Sequence, residues 1–214
     1  MSTEEILDTI YDGIIRGDMR TVKEQVQAGL DAGLDPQMIL DEAMVTAMEE
    51  IGRRFENNEC FVPEMLIAAR AMKEGVAVLT PHLVDAGVKP VGTMIMGTVR
   101  GDVHDIGKNL VRIMVESSGW KVVDLGVDVA PEQFVAAVQE HHPQVIGLSA
   151  LLTTTMPNMP RTIEALKEAG LRDRVKVMVG GAPVTEAYAE EIGADLYALD
   201  AAQAAEKLKV LFAA

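Results

Sequence analysis

The residues best suited to chemistry lie in one short run, Gly101-Asp102-Val103-His104-Asp105-Ile106-Gly107. A neutral imidazole binds a metal through one ring nitrogen, and the other nitrogen then needs an acceptor that fixes the tautomer and raises basicity. Asp102, two residues before His104, is suited to that task. Gly101 and Gly107 let the loop turn tightly. A zinc or iron site would need three or four protein ligands at suitable spacing, and no such set can be assembled from this sequence. His82, His141 and His142 read as peripheral, and the last two end a helix before Pro143, where a cation suits the helix dipole. Two later marks follow in order: Ser149-Ala150-Leu151, then Gly180-Gly181. Asp105 and Asn109 read as helix-start residues and Lys108 as a solvated charge, while Arg100 and Arg112 have no assigned role.

These residues need elements to bring them together. From Val91 on, short apolar runs alternate with helical patterns. Strands are predicted at Val91–Val99, Val122–Leu125, Val145–Ser149, Val175–Val179 and Leu196–Ala198. Helices are predicted at Ile106–Ser117, Pro131–Glu140, Pro157–Ala169, Thr185–Ile192 and 201–212. Such alternation implies a parallel sheet covered on both faces. In a flavodoxin-like sheet of order 2-1-3-4-5, ligands bind beyond the carboxyl ends of the strands, between strands 1 and 3. The Asp102–His104 loop follows the first strand and Ser149 ends the third, so the two marks would meet there.

The first part reads as helix throughout. Ser2 with Glu5 forms a capping box, Asp18 caps a helix of about 19–32, and Asp35-Pro36 opens one of about 36–54. Pro63 opens a helix of about 63–85. Four helices with short joints suggest a bundle. The Ala86–Pro90 stretch is a linker and hinge, giving domains of 1–88 and 89–214. The expected architecture is an N-terminal four-helix bundle cap followed by an α/β flavodoxin-like (Rossmann-like) domain with a five-stranded parallel sheet.

Composition narrows the function further. The chain has 214 residues, almost half of them apolar, and a net charge of −14. That charge repels nucleic acid and anionic membranes. Thirteen Met supply adaptable core packing. No apolar run is long enough to span a membrane. The acidic start Met1-Ser2-Thr3-Glu4-Glu5 has no signal-peptide pattern. The single cysteine, Cys60, excludes an internal disulfide and points to the cytosol.

The D-x-H-x-x-G, S-x-L and G-G marks, in that order, resemble the B12-binding domain of corrinoid proteins that hold the cofactor base-off with a protein histidine on cobalt. The segment Ile51–Pro63 is similar to the helical cap of B12-dependent methionine synthase. The resemblance implies that His104 ligates cobalt, that Asp102 holds His104, and that Thr155 holds Asp102. The family has a serine where Thr155 stands; the hydroxyl is kept and a methyl added. It also implies that Val103, Asp105, Ile106 and Gly107 border the corrin with the histidine loop. Ser149 would donate to the displaced dimethylbenzimidazole, with Leu151 and Thr153 near the corrin or its tail. Gly147, Gly180 and Gly181 would line the tail channel. Phe55 and Val62 would cover the cobalt-bound methyl, Val62 replacing a leucine of the family.

The implied role is a methyl carrier like those of methanol, methylamine, glycine betaine and aryl-ether methyltransferase systems, in anaerobic one-carbon metabolism. Cob(I)alamin or a related corrinoid would take a methyl group on one substrate-specific methyltransferase. The methyl form would pass it to tetrahydrofolate or a thiol on a second methyltransferase, and a reductive activator would serve as a further partner. The chain would then be a subunit that is inactive alone. The alternatives are a B12-dependent regulator, the small subunit of an adenosylcobalamin mutase, and a cobalamin storage module.

Overall fold

Each of the first three helices begins with a residue that satisfies otherwise free N–H groups. Ser2 Oγ accepts from the Glu5 N–H at 3.1 Å, and the Glu5 carboxylate accepts from the Ser2 N–H at 2.7 Å. This capping box starts α1, Thr3–Arg16. Asp18 caps α2, Met19–Asp31, by accepting from the Thr21 N–H. Asp35 caps the next run, with Pro36 in its first turn. That run, α3, comprises Pro36–Met38, a π-helical stretch Ile39–Val45, and Thr46–Glu56. The Thr46 hydroxyl lies 2.8 Å from the Asp41 carbonyl and 2.7 Å from the Glu42 carbonyl. Such back-bonding from a threonine bends and loosens a helix, in keeping with the wider turn. The fourth helix, α4, is Val62–Asp85.

Among the described residues, 1–212 of this computed structural model, the chain divides into two compact units. The first is Met1–Pro90, with which Ser117–Gly119 are grouped; the rest from Val91 forms the second. The first unit's core includes Ile10, Ile14, Val22, Ile39, Met44, Met65 and Leu79, all fully buried. Each such side chain contributes about 1.5–3 kcal/mol by leaving water. Gly75 on α4 is required by the packing: a Cβ there would lie 2.6 Å from Met44 Cε and 2.9 Å from Val22 Cγ1.

The second unit runs β1 (Thr93–Thr98), α5 (Ile106–Ser117), β2 (Lys121–Asp124), α6 (Pro131–His141), β3 (Val145–Ser149), α7 (Asn158–Glu168), β4 (Lys176–Gly180), α8 (Glu186–Glu191), β5 (Leu196–Ala198) and α9 (Ala201–Phe212). All pairings are parallel and the order is β2-β1-β3-β4-β5, the flavodoxin-like order. The first strand is shorter than its apolar run: Val91 is exposed and regular pairing stops at Thr98. Side chains alternate between two cores. Ile95, Ile146 and Val177 pack under Phe134, Met159 and Ile163, while Met94, Val145 and Met178 pack with Val115, Trp120 and Leu208. Trp120 meets Phe212 edge-on at 5.0 Å. The register pairs Thr98 with Ser149 and Ser149 with Gly180. Three strands therefore end in one row, and their following loops are neighbours.

Candidate functional site

The loop after β1 is built around a buried carboxylate. The Val99 N–H donates to the Ser149 carbonyl, and the Asp102 N–H returns to the Val99 carbonyl. Gly101 allows this reversal with φ of +81°. The Asp102 side chain is fully buried. Its Oδ1 accepts from the His104 N–H at 3.1 Å and lies 2.8 Å from His104 Nδ1. Its Oδ2 accepts from the Leu151 N–H (2.8 Å), the Leu152 N–H (3.2 Å) and Thr155 Oγ1 (2.7 Å). Thr155 Oγ1 also lies 2.8 Å from the Leu152 carbonyl. Its one proton serves the carboxylate, the stronger acceptor. Burial pushes the Asp102 carboxyl up, but the bonds from Thr155, Leu151 and His104 outweigh it and hold the group far below the usual carboxylate range.

An ionised Asp102 accepts, so the hydrogen-bond pattern assigns the proton of neutral His104 to Nδ1. The Nε2 lone pair is then free. Nε2 has no protein partner among the described residues, and the His104 side chain is 46% exposed. The arrangement presents one basic nitrogen to the outside, held from behind. Among the described residues no three of His, Cys, Asp and Glu are grouped to hold a metal ion. A metal bound at His104 would need its other ligands from outside these side chains.

The surroundings suit a large, flat, apolar partner. Val103 and Ile106 on the histidine loop are 69% and 76% exposed, and Leu151 and Leu152 after β3 are about 40% exposed. Four apolar side chains exposed around one imidazole mark a binding surface. A Cβ on Gly107 would meet nothing within 4 Å, so open space lies there. Thr98 supports the loop from below through its hydroxyl, 2.7 Å from the His104 carbonyl. Asp105 starts α5 and accepts from Asn109 Nδ2.

The other expected residues fall in distinct places. Ser149 ends β3 half-buried, and Thr153 is exposed in the next loop. Gly181 has φ of +125°, and any Cβ there would collide with the Ala150 carbonyl, so the backbone itself demands glycine. A Cβ on Gly180 would lie 3.0 Å from the Ala198 carbonyl. Gly147 is buried in β3, where a Cβ would lie 2.5 Å from Met94 Cε. Phe55, near the end of α3, and Val62, at the start of α4, are half-buried in the first unit.

One ionic group behaves differently from its reading in the sequence. Lys108 is not a solvated charge: its side chain is 2% exposed and Nζ lies 2.6 Å from both oxygens of Asp124. Arg112 adds a contact to Asp124 at 3.3 Å. Burial raises the Asp124 carboxyl, but Lys108, the Gly126 N–H and Arg112 more than offset it, and the net shift is downward. The signal was present in the helical spacing. Lys108, Val111 and Val115 share one face, and both valines belong to the core.

Comparison with known proteins agrees with this chemistry. Two family models, each described as a B12 binding domain, match residues 92–209 and 6–80. Trimethylamine corrinoid protein 2 of Methanosarcina mazei is 46% identical over 96% of this chain and 95% of its own length. The dimethylamine corrinoid protein of Methanosarcina barkeri is 44% identical over the full length of both chains. Among solved structures, the methanol:cobalamin methyltransferase complex of Methanosarcina barkeri contains a chain that superposes with a TM-score of 0.87 at 32% identity, covering 98% of this chain and 80% of that one. With its histidine loop, parallel sheet and helical N-terminal part, the chain belongs to the B12-binding corrinoid proteins.

Proposed function

We propose that this protein carries a methyl group on the cobalt of a bound corrinoid, with His104 as the protein ligand to cobalt. The donor class that fits best is a methylated amine, since relatives named for trimethylamine and dimethylamine align over nearly the whole chain at 44–46% identity. The observation that carries the reading is the locked imidazole: Nδ1 held at 2.8 Å by a buried carboxylate, Nε2 free and outward. When bound, cobalt supplies both the nucleophile that accepts a methyl group and the leaving group that releases it.

The chain's own residues supply ligation, orientation and charge. Asp102 fixes the tautomer and the orientation of the His104 ring. Thr155 and the two backbone N–H groups after β3 keep Asp102 ionised without a cation beside it. The Asp102 charge, 2.8 Å from Nδ1, would stabilise positive character on the His104 ring. Val103, Asp105, Ile106 and Gly107 would border the macrocycle, Leu151 and Thr153 the macrocycle or its tail, and Ser149, Gly147, Gly180 and Gly181 the nucleotide tail. Phe55 and Val62 shield the methyl group. The partners are an amine-specific methyltransferase, a second methyltransferase acting on a thiol or tetrahydrofolate, and a reductive activator. No described helix is long and apolar enough to cross a membrane, and the proposed setting is the cytoplasm.

The test is spectroscopic. Protein loaded with cobalamin and poised as Co(II) should show nitrogen hyperfine structure that changes when the protein's histidines carry heavy nitrogen. His104→Gly should lose that structure yet retain part of the binding. Hyperfine structure from dimethylbenzimidazole in the wild type would refute the ligand assignment.

A further inference from the structure

The loop after β2 grips the histidine loop at two points on either side of the Gly101–Asp102 junction. Asp128 Oδ1 accepts from the Gly101 N–H at 2.6 Å, and the Asp128 N–H donates to the Asp102 carbonyl at 2.9 Å. Asp128 has φ of +53°, a conformation that aspartate and asparagine tolerate better than other side chains. It faces Gly101, whose φ is +81°. The gripping loop is itself fastened. Asp124 Oδ1 accepts from the Gly126 N–H, the Thr98 N–H donates to the Gly126 carbonyl, and the Val129 N–H donates to the Thr98 carbonyl.

We propose that Asp128 is a positioning residue, setting the direction in which His104 presents Nε2. The inference rests on the reading of His104 as the cobalt ligand. Gly101 is the joint of the histidine loop, because glycine rotates there at little cost. The interior bonds to Asp102 fix the carboxylate end of the loop, the Asp102 N–H is held by the Val99 carbonyl, and the Arg100 carbonyl accepts from Asn158 Nδ2 at 2.8 Å, which leaves the Gly101 N–H and the Asp102 carbonyl for the loop after β2 to hold. Asp128 holds both of these groups, and so sets the angle between the two sides of the glycine joint. Being exposed, the clamp adds little to stability; its effect is on orientation.

Three proteins separate the contributions: wild type, Asp128→Asn and Asp128→Gly. Asparagine keeps a side-chain acceptor and tolerates the positive φ. Glycine keeps the φ and the donated N–H but removes the acceptor. With cobalamin as probe, Asp128→Gly should weaken binding about three- to tenfold, the low end for a residue behind a metal ligand. Its Co(II) spectrum should become a mixture of forms with and without histidine nitrogen. Asp128→Asn should stay within about twofold of wild type. In cofactor-free protein, the ring nitrogen resonances of His104 should broaden or shift in Asp128→Gly and be restored in Asp128→Asn. A glycine variant identical to wild type in all three readouts overturns the clamp, as does an asparagine variant as impaired as glycine. Absence of histidine nitrogen from the wild-type cobalt spectrum refutes the ligand reading instead, while the cofactor-free resonances still judge the clamp.

Discussion

Two aspartates lie beside strand ends in the same sheet unit, and they are satisfied in opposite ways. Asp124, the last residue of β2, is matched by two cations, Lys108 and Arg112. Asp102, after β1, is matched only by dipoles and the ring of His104. A carboxylate neutralised by a lysine has no further pull on its surroundings, whereas one held by N–H and O–H groups keeps its full negative charge. The first arrangement builds structure. The second reserves a charge for whatever positive character develops on the imidazole, through a metal or a proton.

Lys108→Met should have the largest effect. Removing one partner leaves a half-buried carboxylate short of charge and costs about 3 kcal/mol, read by urea unfolding. The histidine hyperfine pattern should persist in the protein that remains folded. Loss of the histidine signal with unchanged stability would reverse the roles assigned to the two aspartates. Asp102→Asn should come next, with corrinoid affinity down about 10- to 100-fold and proton uptake on reduction to Co(I) diminished. Equal proton uptake in wild type and variant would remove the reserved-charge argument. Thr155→Val keeps the shape and deletes one of the donors to Oδ2, at a cost of about 1 kcal/mol; Thr155→Ser should recover most of it.

The smallest effect is in acid. The folded Asp102 carboxyl titrates below its unfolded value of about 3.9, so the unfolded chain binds the proton first. Its stabilisation is complete above that value and is lost as pH falls through the folded one. The stability gap between wild type and Asp102→Asn should therefore be constant at neutral pH and shrink below about pH 4. A gap that widens on acidification would contradict an ionised, dipole-held Asp102.

Sequence patterns revealed the elements more fully than the contacts among them. Strand and helix alternation after Val91 is a local signal, and so are the caps at Ser2, Asp18 and Asp35; each reappears in the structure within a few residues. The Asp102–His104 pair was legible because its members are two positions apart. The donors from Leu151 and Leu152 were not, because backbone N–H groups carry no residue signature. Asp128 escaped for a related reason: its partner is the backbone of a loop 27 positions away. The π-helical turn in α3, beside which the Thr46 hydroxyl bonds back to Asp41 and Glu42, is not encoded by helical periodicity. Lys108 was misread by residue type, although its spacing relative to Val111 and Val115 placed it on the inner face.

The bond between Asp102 and Thr155 links positions 53 apart in the chain. During synthesis, the carboxylate emerges from the ribosome long before its Oδ2 donors, Leu151, Leu152 and Thr155, do. Strand β3 must pair beside β1, with the whole β2–α6 crossover already spanned, before any of them reach it, and that closure is costly until the later contacts repay it. In the interval Asp102 is hydrated and the His104 ring is free to change tautomer. If His104 ligates cobalt as proposed, loading through it follows the pairing of β3 beside β1, and fragments ending before Thr155 should emerge with the histidine loop present and the Asp102–Thr155 bond unformed.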